Sequence, residues 1–222
     1  TSVSLLTVLS FAAPTFAQTD LAALYEAAKT EGQLTVIALP HSWCNYGGVI
    51  EGFKAAYPGI TVNELNPDAG SADELEAVRA NKGNTGPQAP DVIDIGLAFG
   101  PQAKDEGLLQ AYKVSTWDEI PDDAKDADGF WTTIHSGTLG LFVNKDALGG
   151  KPVPACWKDL LKPDYKGMVG YLDPSSAAVG YVGAVAINLA LGGSASNFDP
   201  AISFFKDLRK NDPIVPKQTS YA

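Results

Sequence analysis

Between Leu34 and Gly96 the apolar pattern switches back and forth between two periods, and this alternation constrains the fold more than any other feature of the chain. Leu34 to Leu39 is a continuous apolar run, as expected of a strand covered on both faces. Gly48 to Tyr57 carries Val49, Ile50, Phe53 and Ala56 at helical spacing, and Pro58-Gly59 ends it. Ile60 to Leu65 alternates as a second strand. After the loop Asn66-Pro67-Asp68-Ala69-Gly70, Ser71 opens a helix with Glu74 three residues on, the pattern of a capping box. A polar Gly/Pro loop from Gly83 to Pro90 precedes a third strand, Asp91 to Gly96, and Pro101 sits where a first-turn proline fits the next helix. Strands alternating with helices predict a parallel sheet with right-handed crossovers. Ligands of such sheets bind beyond the carboxyl ends of the strands, at the switch point. For a 2-1-3 strand order that point lies between the first and third strands, which nominates residues 40–45 and 95–100.

The flanking sequence continues in the same style. Asp20 to Glu31 is an amphipathic helix with Leu21, Leu24, Tyr25 and Ala28 on one face and Gly32 as its stop. Trp131 to Asn144 is long and extended, with Gly137 and Gly140 inside, so it can bend and cross between lobes. Trp157 to Leu161 is a short helix stopped by Pro163, and Met168 to Leu172 is a strand. Asp173-Pro174 turns the chain, and Ser175 or Ser176 caps a long helix that ends at Gly192-Gly193. Asp199-Pro200 starts another helix, to about Arg209, and Ile214-Val215 begins a further strand.

Charge and composition narrow the function. Acidic residues outnumber basic ones 26 to 16, a formal charge of −10. That balance argues against a nucleic-acid binder, which needs a basic face. Arg79 and Arg209 are the only arginines, so an anion site must use backbone N–H groups, hydroxyls or lysines. Two cysteines do not make a disulfide scaffold, and a Cys44–Cys156 bridge would pin two lobes together. The acidic stretch Asp118 to Asp128 reads as a solvated face or a docking surface. Residues 1–17 carry no charge, hold an apolar run from Leu5 to Ala13 and end in small residues. They read as the remnant of a secretory signal peptide cleaved after Ala17, too short to span a bilayer. A secreted hydrolase is one alternative, but the chain has no G-x-S-x-G, H-E-x-x-H or C-x-x-C. A structural or adhesive export is another, separable by solute-dependent tryptophan quenching.

Several motifs in a shared order resemble the periplasmic solute-binding proteins of ABC importers, of the iron(III), phosphonate and polyamine type. They are Phe53-Lys54-Ala55-Ala56-Tyr57-Pro58-Gly59-Ile60-Thr61-Val62, Ala89-Pro90-Asp91-Val92, Gly107-Leu108-Leu109 and Gly140-Leu141-Phe142-Val143-Asn144. The most specific is Trp157-Lys158-Asp159-Leu160-Leu161-Lys162-Pro163-Asp164-Tyr165-Lys166-Gly167. The resemblance implies an α/β fold of two lobes (type II), each a mixed sheet flanked by helices. It places the first lobe at 18–137 and part of the second at 138–222. It implies a periplasmic monomer that captures a small-molecule solute between the lobes, performs no chemistry on it and docks on an ABC permease. No cofactor and no metal are expected.

The same resemblance nominates site residues. His41 falls where iron(III) binders place a histidine ligand, but the acidic ligand expected after the third strand falls at Gly96. Ferric iron wants anionic oxygens, so His41 is read as a hydrogen-bonding or plain loop residue. Ser42-Trp43-Cys44-Asn45-Tyr46 resembles the aromatic segment of polyamine binders, with Asn45 where an acid would pair the amine. Trp43 is therefore either a cleft wall or a packed core residue. Asp173-Pro174-Ser175-Ser176-Ala177-Ala178 matches an anion-binding segment, and a first helical turn with two hydroxyls can hold an oxyanion on physical grounds alone. Helix capping is the alternative role for Ser175 or Ser176. Ile95 and Gly96 at the switch point and Ser136 on the crossing segment complete the ligand-binding set with Ala177. An oxyanion such as a phosphonate or organophosphate is the preferred ligand, with iron(III) or a polyamine as alternatives.

Overall fold

The computed structural model describes residues 21–216. The signal-peptide reading of residues 1–17 and the end of the chain from 217 lie outside the described residues. Helix α1 (Leu21–Glu31) leads into strand β1 (Gln33–Ile37). Helix α2 (Tyr46–Ala56) then returns the chain to strand β2 (Thr61–Leu65), which pairs with β1 in parallel from Gln33↔Thr61 to Ile37↔Leu65. Thr35, Val36 and Ile37 are buried, as the apolar run requires of a strand between two neighbours.

The second neighbour is the segment at Asp91-Val92, joined by a parallel bridge Val36↔Val92. The order is therefore 2-1-3, but the third strand is far shorter than the six residues its sequence suggests. Its Asp91 and Val92 N–H groups both donate to the Thr35 carbonyl, and beyond them side chains replace the ladder. The Asp91 carboxylate accepts the Thr35 N–H at 2.7 Å, and Asp94 donates its N–H to Glu74 at 2.8 Å. From Ile93 onward the chain is drawn towards helix α3 (Ser71–Ala80).

Helix α3 also departs from the expected cap. Gly70, not Ser71, precedes its first turn, and Asp73 accepts the Gly70 N–H at 3.1 Å. Ser71 and Glu74 are released to bind the third-strand segment. On α1 the expected apolar face is open, with Leu21 and Leu24 exposed. The helix is held instead by Tyr25, packed edge-on against Tyr57 at 5.1 Å and accepting the Gly59 N–H.

Helix α4 (Gly100–Asp105) starts with Pro101 in its first turn. The acidic stretch that follows is partly tied down. Lys104 bridges Asp126 and Asp128, and Lys125 donates to the Trp117 carbonyl while lying over its ring. Residues 133–144 form neither helix nor strand, so the crossing strand expected here is absent among the described residues.

The second half repeats the α/β pattern. Gly170 bridges Ile214 in parallel, and Tyr171 N–H and Ile214 N–H donate to Ile214 and Val169 carbonyls. Between them run helices α5 (Ala178–Ala190) and α6 (Asp199–Leu208). Their facing sides, with Leu160 from the short helical turn Trp157–Leu161, form a core with Ile187, Ala201, Phe204 and Leu208. Helix α6 receives its cap from Asn197, whose side-chain oxygen accepts the Asp199 N–H, so Asp199 lies inside the first turn rather than before it. No described helix is long and apolar enough to cross a membrane.

Candidate functional site

The carboxyl ends of β1 and β2 concentrate backbone strain. Of the five described non-glycine residues with positive φ, Ala38, Cys44, Asn45 and Asn66 lie there. Such conformations cost on the order of 1–3 kcal/mol each and persist where the surroundings hold them. In the loop after β1 they are held by successive turns. Trp43 N–H donates to Pro40, Tyr46 N–H to Trp43 and Gly47 N–H to the His41 carbonyl.

Tyr46 anchors this loop to the third strand. Its ring is buried, and its hydroxyl donates to the Asp94 carboxylate. Burial, and then that bond, push the phenol pKa up. The Asp94 N–H donates in turn to Glu74, which is 1% exposed. Burial drives the Glu74 carboxyl up to about 9, against the smaller opposing effect of the Asp94 N–H. At neutral pH Glu74 is thus an uncharged acid. Gly96 N–H donates to Ser71 Oγ at 3.1 Å. Residues 94–96 are therefore fastened to the first turn of α3 at two points.

Trp43 is 44% exposed, so it is a surface wall and not a core residue. Its ring meets Tyr46 at 6.1 Å and His135 at 5.3 Å, both edge-on. That contact brings the crossing segment, with exposed Ser136, beside the loop after β1. Ser42 and Asn45 are also exposed and Ile95 is half-buried. His41 is directed away from this group. Its ring N–H donates to Glu64 on β2, which also binds Lys54 at 3.3 Å. Although burial works against it, His41 and Lys54 together hold the Glu64 carboxyl below its ordinary range. No group of three metal-ligating side chains occurs among the described residues.

The Asp173–Ala178 segment arrives at the same place from the other half of the chain. Ser176 offers its carbonyl to the Ala72 N–H at 3.2 Å, next to Gly70 and Gly96. Neither serine caps α5. Ala177 holds the position before the first turn, and no side chain bonds there. Ser175 instead closes a turn on Asp173, donating its N–H at 2.8 Å and its hydroxyl at 2.6 Å. Those two bonds hold the Asp173 carboxyl below its usual range. Ser176 and Ala177 give their N–H groups to the Asp173 carbonyl. The N–H groups of Ala178, Val179 and Gly180 have no acceptor among the described residues. Among the described residues, the first-turn N–H groups of α5 are thus left open, while the Ser175 hydroxyl is taken by Asp173.

Sequence reasoning missed Tyr46, Asp94, Glu74 and His135. The first two lie in or beside the nominated loops, and His135 precedes Ser136, so loop position was the only available signal. Glu74 gave none, since a helix-start glutamate reads as a cap. A further hollow lies elsewhere. It holds about 880 Å³ between α5 and α6, walled by Tyr171, Tyr181, Phe198, Ile202 and Phe205. Cys44 and Cys156 are both free and exposed. A thiol-reactive disulfide reagent is expected to titrate two groups per native chain. Fewer than two would show that one thiol is shielded or oxidised.

Comparison with known proteins gives a consistent picture. The sequence profile of the bacterial extracellular solute-binding proteins matches residues 88–222. An uncharacterized protein of Haemophilus influenzae is 38% identical over 151 residues, which is 64% of this chain and 41% of that protein. A probable ABC transporter periplasmic-binding protein of Sinorhizobium fredii is 34% identical over 134 residues, 59% of this chain and 34% of that protein. Among solved structures, the periplasmic binding protein AfuA from Actinobacillus pleuropneumoniae, with fructose-6-phosphate bound, superposes with a TM-score of 0.62 at 27% identity. It covers 86% of this chain and 57% of its own. Iron-bound HitA from Pseudomonas aeruginosa shares the fold at 17% identity and a TM-score of 0.54, over 83% of this chain and 56% of its own. The chain spans less than half the length of the curated relatives it matches. The architecture is that of the type II periplasmic binding proteins.

Proposed function

Because the chain belongs to the bacterial extracellular solute-binding proteins, we propose that it is the solute receptor of an ABC importer and that it captures a small phosphorylated solute. The lobes are residues 18–137 and 138–222, joined by the crossing segment. One observation carries this reading. The loop bearing Trp43, the third-strand end at Gly96 and the first turn of α5, with three N–H groups unpaired among the described residues, converge at one end of the sheet. Helix N–H groups and the Ser176 hydroxyl suit a phosphate oxygen in a chain so short of arginine. The half-exposed face of Trp43 suits the less polar side of the same solute. The likeness to a fructose-6-phosphate-bound receptor supports this class over iron, because His41 and Glu64 are engaged with each other and no third ligating side chain joins them among the described residues. Periplasmic location, a monomeric state and docking on an inner-membrane permease follow from the same reading, as does binding without turnover.

Thermal unfolding of the full-length protein with fructose 6-phosphate, a phosphonate, ferric citrate, spermidine and thiamin tests it. A ligand at a hundred times its Kd stabilises by about 2.7 kcal/mol. A phosphorylated compound is expected to give that shift and to quench Trp43. Ser176→Ala is expected to weaken it about tenfold, the worth of one hydrogen bond to a charged group. Stabilisation by spermidine or ferric citrate alone would overturn the ligand class.

A further inference from the structure

Gly96 and Gly70 are unusual glycines, because neither needs to be glycine for its backbone. Gly96 has φ −62° and ψ 145°, and Gly70 has φ −93° and ψ 167°, conformations open to any L-residue. What excludes a side chain is the other half of the molecule. A Cβ on Gly96 would stand 2.1 Å from the Ala178 Cβ, and one on Gly70 would stand 2.8 Å from the Ser176 carbonyl oxygen. Both obstacles belong to the segment that opens α5.

We propose that Gly96 is the closing stop of the receptor, the point at which the missing side chain lets the first turn of α5 seat on the end of the third strand. The proposal rests on the two-lobe receptor reading. Its mechanics come from how each side is held. Residues 94–96 cannot retreat, because Asp94 N–H is bonded to Glu74 and Gly96 N–H to Ser71. Ala178 is the first residue of a thirteen-residue helix, and its Cβ has no rotamer to change. A methyl group added at Gly96 must therefore displace α5 as a body. That displacement breaks the Ala72 N–H bond to the Ser176 carbonyl, the backbone link between the two sides. Gly96 thus sets how far the lobes close without itself supplying any group to the solute.

A double-mutant comparison decides it. Gly96→Ala is expected to enlarge the radius of gyration in X-ray scattering and to speed hydrogen exchange at the Ala72 amide, while circular dichroism stays that of the wild type. Ala178→Gly removes the opposing methyl, so the double variant Gly96→Ala/Ala178→Gly is expected to regain the wild-type radius and protection. With fructose 6-phosphate as probe, Gly96→Ala binds about tenfold more weakly if the closed form falls to about a tenth of the population, and the double variant recovers. If wild-type protein does not bind this probe, the ligand assignment fails, yet scattering and exchange still decide the stop. Gly96→Ala with unchanged radius and unchanged Ala72 protection would overturn the proposal. So would a change that Ala178→Gly leaves in place.

Discussion

Asn188→Ala is expected to destabilise the second half of the molecule by about 2–4 kcal/mol, without any change at the ligand cleft. Asn188 lies on α5 and is 1% exposed. Its amide nitrogen donates to the Ser194 and Asn197 carbonyls at 3.0 Å each, and its oxygen accepts the Ala201 N–H at 3.3 Å. One side chain therefore ties the turn between α5 and α6 to both helices. Alanine removes all three bonds and strands the Ala201 N–H in a buried setting. In a chain of this size the loss lowers Tm by about 10 °C, which scanning calorimetry reads directly. Asn188→Asp keeps the volume, loses both donated bonds and buries a charge, so it is expected to be at least as harmful. Asn197→Ala removes only an exposed cap on α6 and is expected to cost about 1 kcal/mol. Equal effects at the two positions would show that the turn is not organised by Asn188.

The second large effect is a pH dependence. Glu74 ionises near 4.5 when exposed and near 9 in the folded protein, where burial penalises its charge. Between those values the folded chain keeps a proton that the unfolded chain has released. The contribution is fully present below about pH 4.5, declines as pH rises through the folded value and is gone above it. The total is on the order of a few kcal/mol. Glu74→Gln preserves the shape and an acceptor for the Asp94 N–H but cannot ionise. Urea unfolding at pH 5, 7 and 9 is expected to show the wild type losing stability over this range while the glutamine variant holds its own. Parallel curves for the two proteins would mean that Glu74 is already charged in the fold.

Much of the architecture was readable from periodicity. The 2-1-3 order followed from the β-α-β-α-β alternation, and the α4 proline and the glycine stop after α5 fell where local rules put them. The departures share one cause. Ser71, Glu74, Ser175 and Asp91 are residues with strong local habits, and in each case a tertiary or turn partner took the side chain. Ser71 and Glu74 look like a capping box but bind Gly96 and Asp94, leaving the cap to Asp73. Ser175 looks like a cap but closes on Asp173. The Asp91 carboxylate occupies a strand N–H and shortens the third strand to a bridge. Pattern rules see neighbours in sequence, and the contacts of Ser71, Glu74 and Asp91 link residues 25, 20 and 56 positions apart. The cleft was legible to the extent that switch-point loops could be named. The approach of Gly96 to Ala178 was not, because nothing local distinguishes a glycine chosen for its neighbour from one chosen for its backbone.

The pairing of Thr35 with Asp91 has a kinetic side. The bond joins residues 56 positions apart, and the sheet contains no hairpin among the described residues that could form first and template it. Every strand contact waits on the closure of a long loop with a helix inside it, which makes assembly slow relative to a protein built from near neighbours. A polypeptide organised this way gains its first strand pairing only after a helix-containing loop has closed.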